Sequence, residues 1–148
     1  MSDIDFTLYN ILVSQLAEQL DEQPDLTIVQ HKKHVPDAWP LVLTGITSYR
    51  KQIRYFTVSD GKTSVPCYGC VPDEVYERVM HLEPGAIVHL MGAEPRYNAD
   101  HNGYVLDVQD VMTLKAYENY LNDLRMRESQ RMARMQMANA FEPSAYEY

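Results

Sequence analysis

Residues 41–61, LVLTGITSYRKQIRYFTVSDG, decide the fold. Leu41 to Tyr49 is rich in β-branched and aromatic residues, and Ile53 to Ser59 alternates Phe56 and Val58 against Tyr55 and Thr57. Such period-two alternation belongs to a half-buried strand. The first run predicts strand one and the second strand two, joined by a turn at Arg50-Lys51-Gln52. A strand sends successive side chains to opposite sides, so Phe56 and Val58 are expected in the core and Tyr55 and Thr57 outside. Gly45 inside strand one predicts a bulge or bend. Asp60-Gly61 predicts a two-residue hairpin.

The pattern continues outward in both directions. Thr63 to Cys70 predicts strand three, with Val65 and Cys67 inward and Pro66 marking a stretch unpaired on one side. Pro72 to Leu82 predicts a helix, with proline in its first turn, acids after it, and Val75, Val79 and Leu82 as the apolar stripe. Ala86 to Ala93 predicts strand four, apolar on both faces; Glu94 to Gly103 predicts a long polar loop; Tyr104 to Val111 predicts strand five. The expectation is a mainly β fold, a closed five-stranded barrel with one helix between strands three and four. On the N-terminal side Ser2 and Asp5 resemble a capping box. Ile4, Leu8, Ile11, Leu12, Leu16 and Leu20 predict a helix fading near Asp21 and packed on the barrel by that stripe. Leu26 to Val29 predicts a short strand, and Gln30 to Pro36 a solvated loop. On the C-terminal side Leu114, Tyr117, Leu121 and Leu124 form a helical seam that breaks where Glu128 and Arg131 fall in phase. Residues 142–148 are expected to be unstructured. The chain thus divides into 1–38, 39–114 and 115–148.

Charge and composition bound the function. The 148 residues carry a net charge of −8, and residues 1–40 hold 7 acidic against 2 basic side chains. Strong non-specific duplex binders carry the opposite balance, so any nucleic-acid site must be a local patch helped by stacking. No apolar run reaches the ~20 residues of a membrane span, and a cytoplasmic protein is expected. Two cysteines, Cys67 and Cys70, do not make a disulfide scaffold.

Few motifs suggest sharper chemistry. Cys67-Tyr68-Gly69-Cys70 is a CxxC before a helix start, where a thiol pKa falls, but no βαβ pattern surrounds it. As a zinc half-site it would need His81 and His89 to converge on it, or a second chain. Asp107 and Asp110 sit three apart on one predicted strand and face opposite ways. His31 and His34 lack an acidic or thiolate partner nearby, although Lys32 and Lys33 are suited to phosphate. No hydrolytic motif or phosphate-cradling glycine loop is present. A non-catalytic protein without cofactor or metal is expected.

Three stretches carry a family resemblance: Leu43-Thr44-Gly45-Ile46, Ile53 to Gly61, and Leu82-Glu83-Pro84-Gly85-Ala86-Ile87-Val88-His89-Leu90-Met91-Gly92. Taken with the order of elements, the chain resembles oligonucleotide-binding (OB) fold domains of the single-stranded-DNA-binding and tRNA-anticodon-binding kinds, over about half its length. The resemblance implies a binding face on strands two and three, flanked by the loops after strands one and four. The residues suited to it are Tyr49, Arg50, Lys51 and Arg54 at the first loop, Tyr55, Lys62 and Tyr68 on or beside the face, and Arg96, Tyr97 and His101 on the second loop. The function expected is binding of single-stranded nucleic acid, DNA first, by stacking and a local basic rim. The alternative is a protein–protein assembly module. Its partner or second copy would meet the terminal helices at Leu114, Tyr117, Leu121, Leu124, Met132 and Met135.

Overall fold

Strands one and two form where the alternation places them: β1 is Leu41–Tyr49 and β2 is Gln52–Ser59. The structure is a computed structural model. It describes residues 4–49, 52–69, 77, 79 and 81–146, and the side chains of these apart from 48, 49, 52–54 and 138–146. The two strands pair antiparallel, with register shifts between Leu43 and Gly45 and between Thr47 and Ser48. The first shift is the irregularity that Gly45 predicts. Phe56 and Val58 are fully buried, as their alternation requires.

The remaining strands are β3 (Ser64–Gly69), β4 (Ile87–Met91), β5 (Glu94–Asn98), β6 (Gly103–Val108) and β7 (Asp110–Thr113). All seven form one sheet in the order β5-β6-β3-β2-β1-β4-β7. The closed five-stranded barrel is therefore corrected to an open seven-stranded ladder whose ends are β5 and β7. Two local causes raise the strand count. The polar stretch expected as a loop forms a hairpin, β5 pairing antiparallel with β6 from Glu94↔Asp107 to Asn98↔Gly103. The expected fifth strand is broken at Gln109 into β6 and β7.

That break shapes the sheet. β6 stands second in the order and β7 seventh, five strand spacings apart, or about 24 Å if the sheet were flat. Gln109 alone joins them, and two residue steps reach only about 7 Å. The sheet must curl until the two strands meet. The joint is fastened by Gln109 N–H donating to Met91 O at 3.0 Å. Gly92 follows directly at φ +65°, and a Cβ there would lie 2.7 Å from the Gln109 side chain. Inside the curl lie Trp39, Leu41, Leu43, Phe56, Val58, Cys67, Leu90 and Leu106, each at most 1% exposed. Burying such side chains is worth roughly 1.5–3 kcal/mol each. β3 pairs parallel with β6 only from Cys67 onward, so its first half lacks that ladder, as Pro66 predicts.

The N-terminal segment covers β4, which is buried on both faces. Val35 N–H donates to Ala93 O at 2.8 Å, and Asp37 Oδ1 accepts from Gly92 N–H at 3.0 Å. The buried His89 shares a 3.0 Å hydrogen bond through Nδ1 with Asp37 O. Three expectations fail here. The helix α1 spans only Thr7–Leu16, and Leu8 and Ile11 are 77% and 49% exposed. Its buried residue is Tyr9, whose hydroxyl donates to Pro40 O at 2.7 Å; burial, then the nearby Asp60 charge, push that hydroxyl's pKa up and keep it a donor. The N-cap of α1 is Phe6, without a side-chain cap; Asp5, one residue earlier, accepts from Thr7 N–H at 2.9 Å, while Ser2 lies outside the described residues. Leu26–His31 is a 3-10 helix and not a strand. Asp25 caps it by accepting from Thr27 N–H, and i, i+3 spacing puts Leu26 and Val29 together in the core.

The Asp60-Gly61 turn is also longer than expected. Ser59 pairs with Ser64, leaving the four-residue loop 60–63. Asp60 organises it, its Oδ1 accepting from Lys62 N–H at 2.8 Å and Thr63 N–H at 2.7 Å and its Oδ2 from Leu26 N–H at 2.7 Å. The predicted helix 72–82 falls mostly outside the described residues; Glu77 and Val79 are helical, and Val79 is fully buried.

Residues 1–114 form one unit and 115–148 another. The second consists of the long helix α2, Leu114–Tyr146. Its backbone stays helical through 142–146, where an unstructured tail was expected. The Met-, Arg-, Gln- and Ala-rich run before it has high helix propensity and carries the helix onward.

Asp60→Ala removes the acceptor of three backbone N–H groups, two in its own turn and one in the 3-10 helix. Urea unfolding is expected to show a loss of about 2 kcal/mol. Asp60→Asn, which keeps one carbonyl acceptor, is expected to lose less.

Candidate functional site

The pairing of β2 with β3 builds the site. Phe56 faces Cys67 in register and both point into the core, so one step along the strands Tyr55 and Tyr68 stand side by side on the outer face. Their ring centroids are 5.6 Å apart and tilted by 35°. The third ring comes from beyond β5. His101 ends the 3-10 helix Ala99–His101, which Asn98 caps by accepting from Asp100 N–H at 2.9 Å and which Asn102 closes in the left-handed region at φ +53°. His101 stands edge-on to Tyr55 at 4.8 Å and to Tyr68 at 5.5 Å. The Tyr68 hydroxyl and His101 Nε2 share a short hydrogen bond. All three side chains are half-buried, so each offers part of its ring to solvent.

Arg96 supplies the cation. Its guanidinium carbon lies 5.9 Å from the centre of the Tyr68 ring. It is held there by Asp107, Oδ2 accepting from Nε at 2.7 Å and Oδ1 from Nη2 at 3.1 Å. Asp107 is in place because β6 runs parallel to β3 with Tyr68 and Asp107 in register. The fork aims the guanidinium beside the ring and also neutralises it. Arg96 remains 48% exposed, so a second anion can still reach it.

The structure gathers Tyr55, Tyr68, Arg96 and His101 from the predicted set. It does not bring Tyr97 and Lys62 to them. Tyr97 is 57% exposed and packs edge-on against Tyr104 at 5.7 Å, on the opposite face of the β5–β6 hairpin from Arg96. Lys62 is exposed in the 60–63 loop, at the far end of β2 from Tyr55. There its charge helps the Thr27 hydrogen bonds to hold the Asp25 carboxyl below the usual carboxylate range. Tyr49, Arg50, Lys51 and Arg54 lie, wholly or in their side chains, outside the described residues. Asp107 is a site residue that the sequence did not suggest. Strand alternation turns Asp107 outward, but its link to Arg96 needs a strand where a loop was read. Lys32 pairs with Glu22 and sits 5.3 Å over the Trp39 ring, on one wall of a cleft of about 520 Å³.

The sharper chemistry finds no assembly among the described residues. No group of three or more His, Cys, Asp or Glu converges as metal ligands there. His81 is exposed while His89 and Cys67 are buried. Cys70 lies outside the described residues. Burial pushes the Cys67 thiol pKa up, opposite to what a redox thiolate needs. Asp107 and Asp110 stand on separate strands, β6 and β7. Among the described residues no helix is long and apolar enough to cross a membrane. On α2, Leu124, Met132 and Met135 of the predicted partner set are 41%, 54% and 58% exposed. Tyr117 instead lies 6.2 Å from the ring of Tyr120, and Leu114 opens the helix.

No protein-family model and no curated protein matches the chain. Among solved structures it is similar to the p204 HINb domain, at 16% identity and a TM-score of 0.45, over 66% of this chain and 51% of that one. The chain therefore spans about half the length of that structure's chain.

A Cys70→Ser variant leaves Cys67 as the sole thiol. Because its pKa is raised, thiolate stays scarce at pH 8, and the native variant is expected to react with Ellman's reagent only slowly. Denaturation is expected to release one fast-reacting thiol. Fast native reaction would restore the redox reading of the CxxC.

Proposed function

We propose that this protein is a non-catalytic binder of single-stranded nucleic acid, DNA first, acting through Tyr55, Tyr68, His101 and Arg96. One observation carries the reading. Two tyrosines and a histidine from different elements pack at 4.8–5.6 Å on the outer face, and an arginine lies 5.9 Å from one of the rings. Bases stack on exposed aromatic planes whatever their sequence, while a nearby cation takes the phosphate. Unpaired bases are required, because a duplex keeps its ring faces stacked.

Asp107 sets the strength of this interaction. A phosphate recruited by Arg96 must compete with a two-bond carboxylate fork, and the chain's net charge of −8 opposes long-range attraction. Binding is therefore weak and carried by stacking. With one to three phosphate contacts, log K is expected to fall with log salt at a slope of about −0.7 to −2.

Fluorescence anisotropy of a labelled oligo-dT of ~20 nucleotides, at low and at higher salt, tests the reading. Saturable, salt-weakened binding is expected. Tyr55→Ala and Tyr68→Ala should each weaken it by about 5- to 100-fold, the range of one stacked base. Asp107→Asn should tighten it by releasing Arg96. No saturable binding at low salt, or affinity indifferent to both tyrosines, would remove the reading.

A further inference from the structure

The break in the α2 seam has a logic of its own, independent of nucleic-acid binding. Leu121, Leu124, Glu128, Arg131 and Met135 are spaced alternately three and four residues apart. That is the seam of a two-stranded coiled coil. Leu124 is 41% and Met135 58% exposed, and Glu128 and Arg131 are exposed between them. Helical stability in proteins comes mostly from packing an apolar face, and this face presents itself to solvent.

We infer that α2 is a self-association surface on which two copies of the chain pair antiparallel, each Glu128 facing the partner's Arg131. The charges choose both occupant and direction. A parallel pair sets each position against itself, placing Glu128 on Glu128 and Arg131 on Arg131 in successive layers. An antiparallel pair sets the two seam positions against each other. The same register that pairs Glu128 with the partner's Arg131 pairs Leu124 with the partner's Met135. The seam is its own complement: two reciprocal ion pairs at the centre, with a leucine–methionine layer on either side. A polar residue in such a seam fixes register at some cost in stability, and methionine adapts to an uneven layer. The span from Leu121 to Met135 is about 21 Å, four turns of helix. Arg127 and Arg134 of each copy then share one flank, a like-charge cost that salt screens.

The test uses the full chain at ~0.15 M salt, an ionic strength at which surface charges are well screened. Sedimentation equilibrium is expected to show a monomer–dimer balance. Glu128→Arg or Arg131→Glu alone should weaken it by about tenfold or more, and the double exchange E128R/R131E should restore it. Direction is read by disulfide trapping in a Cys70→Ser background. Leu124→Cys mixed with Met135→Cys should give the mixed dimer faster than Leu124→Cys gives its own. A chain that stays monomeric, a dimer indifferent to the charge reversals, or preferential Leu124→Cys self-trapping would each overturn the inference.

Discussion

A single residue of chain between β6 and β7 constrains the whole first unit. Gln109 is too short to cross a flat sheet, so the sheet curls and its inner face becomes an enclosed core. The backbone meets that demand at Gly92, which holds φ +65° with the Gln109 side chain close over its Cα. The same curl makes β2, β3 and β6 successive neighbours with a common outer face. Tyr55, Tyr68 and Asp107 share that face only because β6 reaches β3 before the break and β7 reaches β4 after it.

Acidic residues serve the fold before they serve any ligand. Asp60 collects three backbone N–H groups, Asp37 ties Gly92, Asp25 caps the 3-10 helix that follows it, and Asp5 accepts from the N–H of Thr7 at the start of α1. Each holds a donor that would otherwise lack a partner at a turn or helix start. Four of the chain's 21 acidic residues are thus engaged in holding the backbone. Asp107 belongs to both worlds, since its fork positions Arg96 and occupies it. An arginine so held is pre-aimed, which lowers the ordering cost of binding an anion, while the carboxylate raises the cost of exchanging one anion for another. The two effects oppose each other on the same pair of atoms.

The two units rest on different physics. In residues 1–114 the apolar residues are enclosed by the sheet. In α2 the apolar residues are few, spaced for a narrow seam, and interrupted by an acid and a base. Propensity extends such a helix, but packing supplies most of a helix's stability, so the charges in its seam bear on what lies against it.

Period-two alternation made β1, β2 and the inward set Phe56, Val58, Val65 and Cys67 legible from the chain alone, because burial on one face is a local pattern. The outward pair Tyr55 and Tyr68 was legible for the same reason, and the start of α2 was legible from the three-and-four spacing of Leu114, Tyr117, Leu121 and Leu124. Other features depend on distant partners. Glu94–Asn98 is polar and lacks periodicity, yet it is a strand because Asn98 and the Asn102-Gly103 turn fold it back onto β6. Leu26 to Val29 reads as a short strand, yet it is a 3-10 helix capped by Asp25 that sends Leu26 and Val29 into the core. Tyr9, and not the Leu8/Ile11 stripe, enters the core because Pro40 O waits there for its hydroxyl. By itself the sequence determined which residues alternate, turn and cap. Only the tertiary structure decided how many strands there are, that the ladder stays open, and that His101 and Arg96 meet the tyrosines, since each of these rests on hydrogen bonds between residues far apart in the chain.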